Sequence, residues 1–451
     1  MKRILLAILI AIPMTAAAQT TTDRDSSVVV YNSNLGLVRK TIDLDLERGT
    51  QTVAFTGVAG KADPSSVRLE AFRGGVRLLE QNFRFDTANT QQVLAAYMDR
   101  EITLYLEGGT VFRGTLVSAE GDLVLRDAGG KLTVVRLGAV ERYEFPEFPA
   151  GLVNRPTLFW KIESDRTGRV PVQLSYLTEG LSWQAEYTAV VNEAETRINL
   201  SALASIRNQS DGTFQNVSLK LVAGEISRVS QPSPVPVFKG RMMAAEALSD
   251  QAGGFTEQGV FEYHVYDLRG RTTLGQAEMK QIAIFPPVGV AVQRQYIFNA
   301  NRYQNDVMTV LRFTNAEKTG PGVPLPAGRV RIYQEDRGVN LLIGEDSIDH
   351  TPVGGDVRLS VGKAFELSGE RKVMETRTVS QRVNEQQIEI VLRNRKSEPV
   401  TITAVETLRG MWEITARTHD FVRKNATTVE FAVPVPAKGE TTVRYTARFT
   451  Y

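Results

Sequence analysis

Along most of the chain, apolar and polar residues alternate with a period of two. Val67-Arg68-Leu69-Glu70-Ala71 is one such run and Gln387 to Leu392 another, and at the end Val443, Tyr445, Ala447, Phe449 and Tyr451 alternate with Thr442, Arg444, Thr446, Arg448 and Thr450. A strand with one face in a core and the other in solvent has this rhythm, whereas a helix repeats about every 3.6 residues. The chain therefore reads as all-β. Gly-Gly pairs at 74–75, 108–109, 129–130 and 354–355 fall between the runs, where residues free to take positive φ close tight hairpins. Thr90 to Met98 (TQQVLAAYM) departs from the pattern and predicts a short helix, with Thr90 as its cap and Val93, Leu94 and Tyr97 on one face. In GLSWQAEYTAVV, Trp183 shares a face with Ala185, Tyr187 and Ala189, as expected of an aromatic anchoring a sheet-on-sheet core.

The spacing of the runs predicts several β domains, as a chain of 451 residues exceeds what one core usually holds. Residues 19–90 form an N-terminal β domain. Residues 91–146 hold EITLYLEGG, TVFRGTLVSAE, GDLVLRDAGG, KLTVVRLG and AVERYEF, the size and rhythm of a small SH3/Sm-like barrel inserted in the chain. A central β-sandwich domain follows at 147–382, interrupted at 230–259 by SQPSPVP and a Met-Ala-Gly stretch without strand pattern, read as a mobile loop. Residues 383–451 carry closely spaced strands (QIEIVLRN, VTITAVETL, MWEITA, TTVEFAV, TTVRYTARF), the pattern of an immunoglobulin-like sandwich, with Pro434 and Pro436 just after a strand.

The start of the chain adds a location. Met1-Lys2-Arg3 is basic, Ile4 to Met14 is apolar but for Pro13, and Ala16-Ala17-Ala18 supplies small residues before Gln19. That is the layout of a secretory signal peptide over residues 1–18, and its apolar run is shorter than the roughly 20 residues that span a bilayer. No transmembrane helix is expected after its removal. The chain has no cysteine, so its stability must come from packed cores without disulfides. Lysine and arginine number 53 against 51 acidic residues, and removal of Lys2 and Arg3 leaves no net charge, which argues against a nucleic-acid partner. The small barrel agrees, because its Arg113, Arg126, Lys131, Arg136 and Arg142 are interspersed with acidic residues.

Five segments carry a family resemblance: GLSWQAEYTAVVN (Gly180 to Asn192), IRNQSDGTFQNVSLKLVAGE (Ile206 to Glu225), RVRIYQED (Arg329 to Asp336), IGEDSIDHTPVGGDVRLSVGKAFELSGER (Ile343 to Arg371) and LRNRKSEPVTI (Leu392 to Ile402). In this order they resemble a bacterial family catalogued as a domain of unknown function, whose longer, coiled-coil-bearing relatives are called mucoidy-inhibitor-A-like proteins. The resemblance covers roughly Leu174 to Phe449. The start, VVVYNSNLGLVRKTIDLDLERGTQTVAFTGVAGKADPSSVRLEA, is similar to the N-terminal domain that accompanies the family. Between them this chain has the small barrel in place of a coiled coil. The resemblance implies no reaction, cofactor or catalytic residue.

Candidate chemistry is sparse. The histidines His264, His350 and His419 lie far apart without metal-ligand spacing, and no Gly-x-Ser-x-Gly elbow occurs, so neither a metal nor a cofactor is expected. Acidic pairs at Glu335-Asp336 and Glu345-Asp346, followed by Asp349-His350, have the residue types for calcium binding or for the paired carboxyls of a glycosidase, and Asp349 and His350 are the first catalytic candidates. The reading taken forward is a non-enzymatic scaffold or binding protein of the periplasm, cell surface or extracellular space, meeting a protein or glycan partner in the cell envelope. The alternatives are an extracytoplasmic hydrolase using dispersed carboxylates and, from the alternating C-terminus, an outer-membrane β-barrel.

Overall fold

A computed structural model describes residues 18–19, 25–72, 74–84, 89–149, 152–153, 155–224, 255–260 and 263–450. Residues 1–17 of the segment read as a signal peptide (1–18), and residues 230–254 of the stretch read as a loop (230–259), lie outside them. Among the described residues strands make up 67% and helix 4%, in several open sheets with no closed barrel. The alternation therefore belongs to a multi-sheet β-sandwich protein, and the outer-membrane barrel alternative is corrected.

Three sheets enclose the largest core. One runs in the order Phe255–Val260, Tyr263–Leu268, Phe214–Ala223, Asp25–Tyr31, Gly36–Leu46, Gly168–Thr178, Arg68–Ala71. A second runs Glu278–Ala291, Arg197–Asn208, Leu181–Val191, Gly328–Asp336, Val339–Ile348, and a third joins Ala18–Gln19, Gly49–Phe55, Thr157–Ser164 and Val76–Arg84. Val28, Val38, Trp160, Leu174, Trp183, Tyr187 and Leu221 meet between them. Asp25–Tyr31 lies parallel to Phe214–Ala223 and antiparallel to Gly36–Leu46. The stretches 19–90 and 147–382, which read as separate domains, thus share sheets and one core, because ladder hydrogen bonds join strands that periodicity alone cannot pair. Phe255–Val260 also extends strand structure into the last residues of the segment read as a loop.

The small module follows its expected course with two differences. The helix Thr90–Ala96 is capped by Asn89, not Thr90: the Asn89 side chain accepts from the Gln92 amide, and the Gln92 side chain returns to the Asn89 N–H. The five strands run Leu132–Val135, Leu123–Arg126, Val111–Ser118, Glu101–Leu106, Val140–Glu144, the last strand lying beside the first as in SH3-like folds. The two edge strands do not pair with each other, so the sheet stays open, with its own core of Leu94, Tyr97, Ile102, Leu104, Leu116 and Leu123. The module sits between Val76–Arg84 and Thr157–Ser164, which pair directly, Arg84 opposite Thr157.

A nine-stranded sheet forms the third body, in the order Met411–Arg417, Gly439–Thr450, Val383–Asn394, Asp356–Ser380, Asp306–Thr314, Gln293–Phe298, Val400–Thr407, Thr428–Val435, Phe421–Arg423. It curls so that the rings of Phe431 and Tyr445 meet at a 30° tilt with centroids 5.3 Å apart, in a core with Phe298, Ile390, Leu392, Ile402 and Val433. The sandwich read over 383–451 is therefore completed by three strands that precede it. Pro434 lies inside a strand, opposite Thr401, rather than after one. The neighbour on that strand's other side spans only Val429 to Phe431, so the missing N–H interrupts no ladder there. On the outer face Arg448 pairs with Glu385 at 2.8 Å and Arg444 with Glu389 at 2.7 Å, a charged ladder suited to water.

Buried asparagines fasten the strand ends. Asn394 donates to the carbonyls of Glu398 at 2.8 Å and Pro436 at 3.0 Å and accepts from the Lys396 N–H at 2.9 Å. Asn315 binds its own loop in the same manner, and Asn208 binds both its own loop, at Gly212 and Ser210, and the distant Gly275 carbonyl. Asn394→Ala should lower stability by about 2–4 kcal/mol, since several buried backbone groups lose their partner at once. Chemical denaturation followed by tryptophan fluorescence measures this, and a loss below about 0.5 kcal/mol would contradict the fastening role.

Candidate functional site

Two neighbouring features of the second sheet gather polar side chains. On Leu181–Val191 the residues Trp183, Ala185 and Tyr187 face the core, which leaves Glu186 on the opposite face. There it meets cations from the adjacent parallel strand, Arg329 at 2.8 Å and Arg331 at 3.1 Å. Arg331 also reaches Glu345 on the next strand at 3.3 Å, and Gln184 donates to Glu186. The Glu186 side chain is only 9% exposed. The hydrogen bond from Arg329 holds its carboxyl below the usual carboxylate range against the opposing effect of burial, with Gln184 and the charges of Arg329 and Arg331 acting in the same sense. A carboxylate held so firmly ionised serves poorly as a proton donor at neutral pH.

The second feature is a cleft of about 270 Å³ at the end of this sheet, where it meets Gln293–Phe298, Asp306–Thr314 and Asp356–Ser380. Val191, Leu311, Ile343 and Val361 form its apolar floor, and Glu195, Arg294, Thr309, Gln334 and Lys363 supply polar groups. The cleft has a local cause. Pairing between Asp306–Thr314 and Asp356–Ser380 shifts register between Asp306 and Met308 and again between Thr309 and Val310, so extra residues around Val361 to Phe365 open the ladder. Strand Val339–Ile348 passes so close that a Cβ at Gly344 would stand 2.2 Å from the Val361 carbonyl oxygen. Arg294 pairs with Glu195, lies 3.8 Å from Glu398 and stacks over Tyr296 at 5.2 Å, and Lys363 pairs with Asp306. The charged groups of the cleft are thus committed to one another.

The structure separates the residues singled out by sequence. His350 is exposed in the turn after Val339–Ile348, where its Nδ1 accepts the Ala327 N–H at 3.1 Å. The Asp349 carbonyl accepts from Thr351 Oγ1 at 2.8 Å. The His350 ring thus holds a neighbouring backbone amide, whereas Asp349 makes its contact through the main chain and is exposed. Asp346 accepts the amides of Ser347 and Ser360, Glu345 belongs to the arginine lattice, and Glu335 and Asp336 end a strand in solvent. His264 lies on strand Tyr263–Leu268, and His419 contacts Thr418 in an exposed turn. Among the described residues no three His, Asp or Glu side chains converge as metal ligands would. Glycosidase chemistry needs two carboxyls across a cleft. The cleft above carries Glu195 alone, a second near Lys40 and Arg271 carries no carboxylate, and a third beside Arg393 and Lys438 carries Glu440 alone. Sequence reading missed Glu186, Arg329 and Arg331. Their available signal was charge at alternate positions of RVRIYQ and a carboxylate out of phase in SWQAEYTAV, and only pairing brings the strands together.

These sheets define a class, a multi-sheet β-sandwich protein with a polar sheet face and a seam cleft. Residues 172–451 match the family model described as a domain of unknown function (DUF4139), and the chain belongs to that family. Residues 28–113 match its N-terminal companion, an N-terminal domain of unknown function (DUF4140). No curated protein matches the chain.

Glu186→Gln should lower stability at neutral pH by about 2–3 kcal/mol, because two cations keep a neutral amide in place of their shared anion. Glu186 has a depressed folded pKa, so its contribution is complete above the ordinary value of about 4.3 and is lost as pH falls through the lower folded value. Urea midpoints measured across that range should show the two proteins converging in acid. A gap that stays constant with pH would contradict the ion-pair account.

Proposed function

We propose that the chain is a non-enzymatic binding and scaffolding protein that works outside the cytoplasm, in the cell envelope. What carries this reading is the use made of its ionisable groups. Glu186, Arg329, Arg331 and Glu345 lock neighbouring strands, and His350, the first catalytic candidate, accepts a backbone amide. Catalytic sites hold such groups free and poised near the working pH, and here they are spent on architecture. The basic, apolar and small-residue succession before Gln19 supports export, and the absence of cysteine suits a fold that needs no redox control. The protein or glycan partner expected from sequence would meet the polar sheet face and the seam cleft.

Cell fractionation with mass spectrometry of the mature N-terminus tests location. The expected product begins at Gln19 and is recovered outside the inner membrane, whereas cytosolic protein retaining Met1 would defeat the reading. A broad glycoside and peptide screen tests the absence of catalysis. Turnover that disappears in Asp349→Asn or His350→Ala would establish an enzyme instead.

A further inference from the structure

We infer that the seam cleft binds one neutral, polyhydroxylated ring, a sugar unit of hexose size. The inference deepens the binding role proposed above and rests on it. Three observations lead there. Size comes first: about 270 Å³ lies just under the roughly 300–1,000 Å³ of sites that take drug-sized ligands, so the cleft suits a single ring. Charge comes second. Arg294 already has Glu195 and Glu398 beside it, and Lys363 has Asp306, so a neutral ligand leaves the charge pairing of the site as it stands. The third is what remains uncommitted. The Gln334 amide and the Thr309 hydroxyl, both half-buried, make no side-chain hydrogen bond among the described residues, yet both line the cleft above Leu311 and Ile343.

An amide that donates and accepts, a hydroxyl that does both, and an aliphatic floor match the two surfaces of a sugar ring, its hydroxyl rim and its C–H face. Gln334 stands at the end of Gly328–Asp336 and Thr309 on Asp306–Thr314, so the ring would touch strands of both the large core and the C-terminal sheet.

The test is titration of the full mature chain with glucose and with N-acetylglucosamine, by saturation-transfer NMR and calorimetry, with glucuronate and inorganic phosphate as charged competitors. The expected result is saturable binding of a neutral sugar with Kd near 1 mM, a level reached by a few hydrogen bonds in a small cleft. Gln334→Leu and Thr309→Val should each weaken it about tenfold with unchanged thermal melting, and phosphate should leave it intact. Absence of saturation, affinity unchanged in both variants, or displacement of the sugar by phosphate would each overturn the inference. Failure of sugar binding in a chain still found outside the cytoplasm refutes the cleft assignment alone. Hydrolysis of glycosides by a chain that binds sugar at Gln334 supports the cleft and refutes the non-enzymatic reading.

Discussion

Two strands bind the molecule together, because each contributes to more than one core. Asp306–Thr314 places Val307 in the C-terminal core and Leu311 and Phe313 in the large one, and Asp356–Ser380 divides in the same way between Leu367 and the pair Val357 and Leu359. The two bodies are therefore joined by continuous backbone and by ladder hydrogen bonds as well as by packed surfaces. A ladder that serves two cores of different orientation has to bend, and it does so where extra residues enter one strand. The seam cleft is the space those residues leave. Fold and candidate site thus share one cause, a register shift forced by a strand with two partners.

Polar groups inside such a fold need partners, and the chain meets this need in two ways. At strand ends, Asn208, Asn315 and Asn394 turn inward and satisfy loop carbonyls that no neighbouring strand reaches. Within the C-terminal core, Glu406 receives Arg371 at 2.8 Å and the Tyr445 hydroxyl, and burial together with the Glu406 charge pushes that phenol far above its ordinary range. Full partnering is what allows a carboxylate that is 1% exposed to persist in a core of valine, isoleucine and phenylalanine. With no disulfide to assist, these contacts and aliphatic packing hold the sandwiches closed.

Strand type was legible in the sequence because a side chain's exposure follows directly from its parity. Trp183, Ala185, Tyr187 and Ala189 are all buried, as their alternation implied. Pairing was not legible. Nothing in VVVYN announces that it lies parallel to SLKLV nearly two hundred residues later, and so the N-terminal and central segments read as separate units. Parallel neighbours have no hairpin turn to announce them. The Asn89 cap was missed for a smaller reason, since Asn and Thr stand side by side and both can cap a helix. The site was least legible of all. Sequence drew attention to Asp349 and His350 because their side chains are reactive, whereas the polar clusters arise from Glu186, Arg329, Gln334 and Thr309, ordinary strand residues given meaning by their neighbours.

The helix-led module stands in the host at a place where Arg84 and Thr157 face each other across one rung of a ladder. For the host, everything between these residues is a loop whose two ends are already closed by the sheet, so its length and content impose little entropic penalty on the core beneath. Such a position acts as a socket. A structure of different length with equally adjacent ends could be carried at this rung without altering the register of the strands on either side.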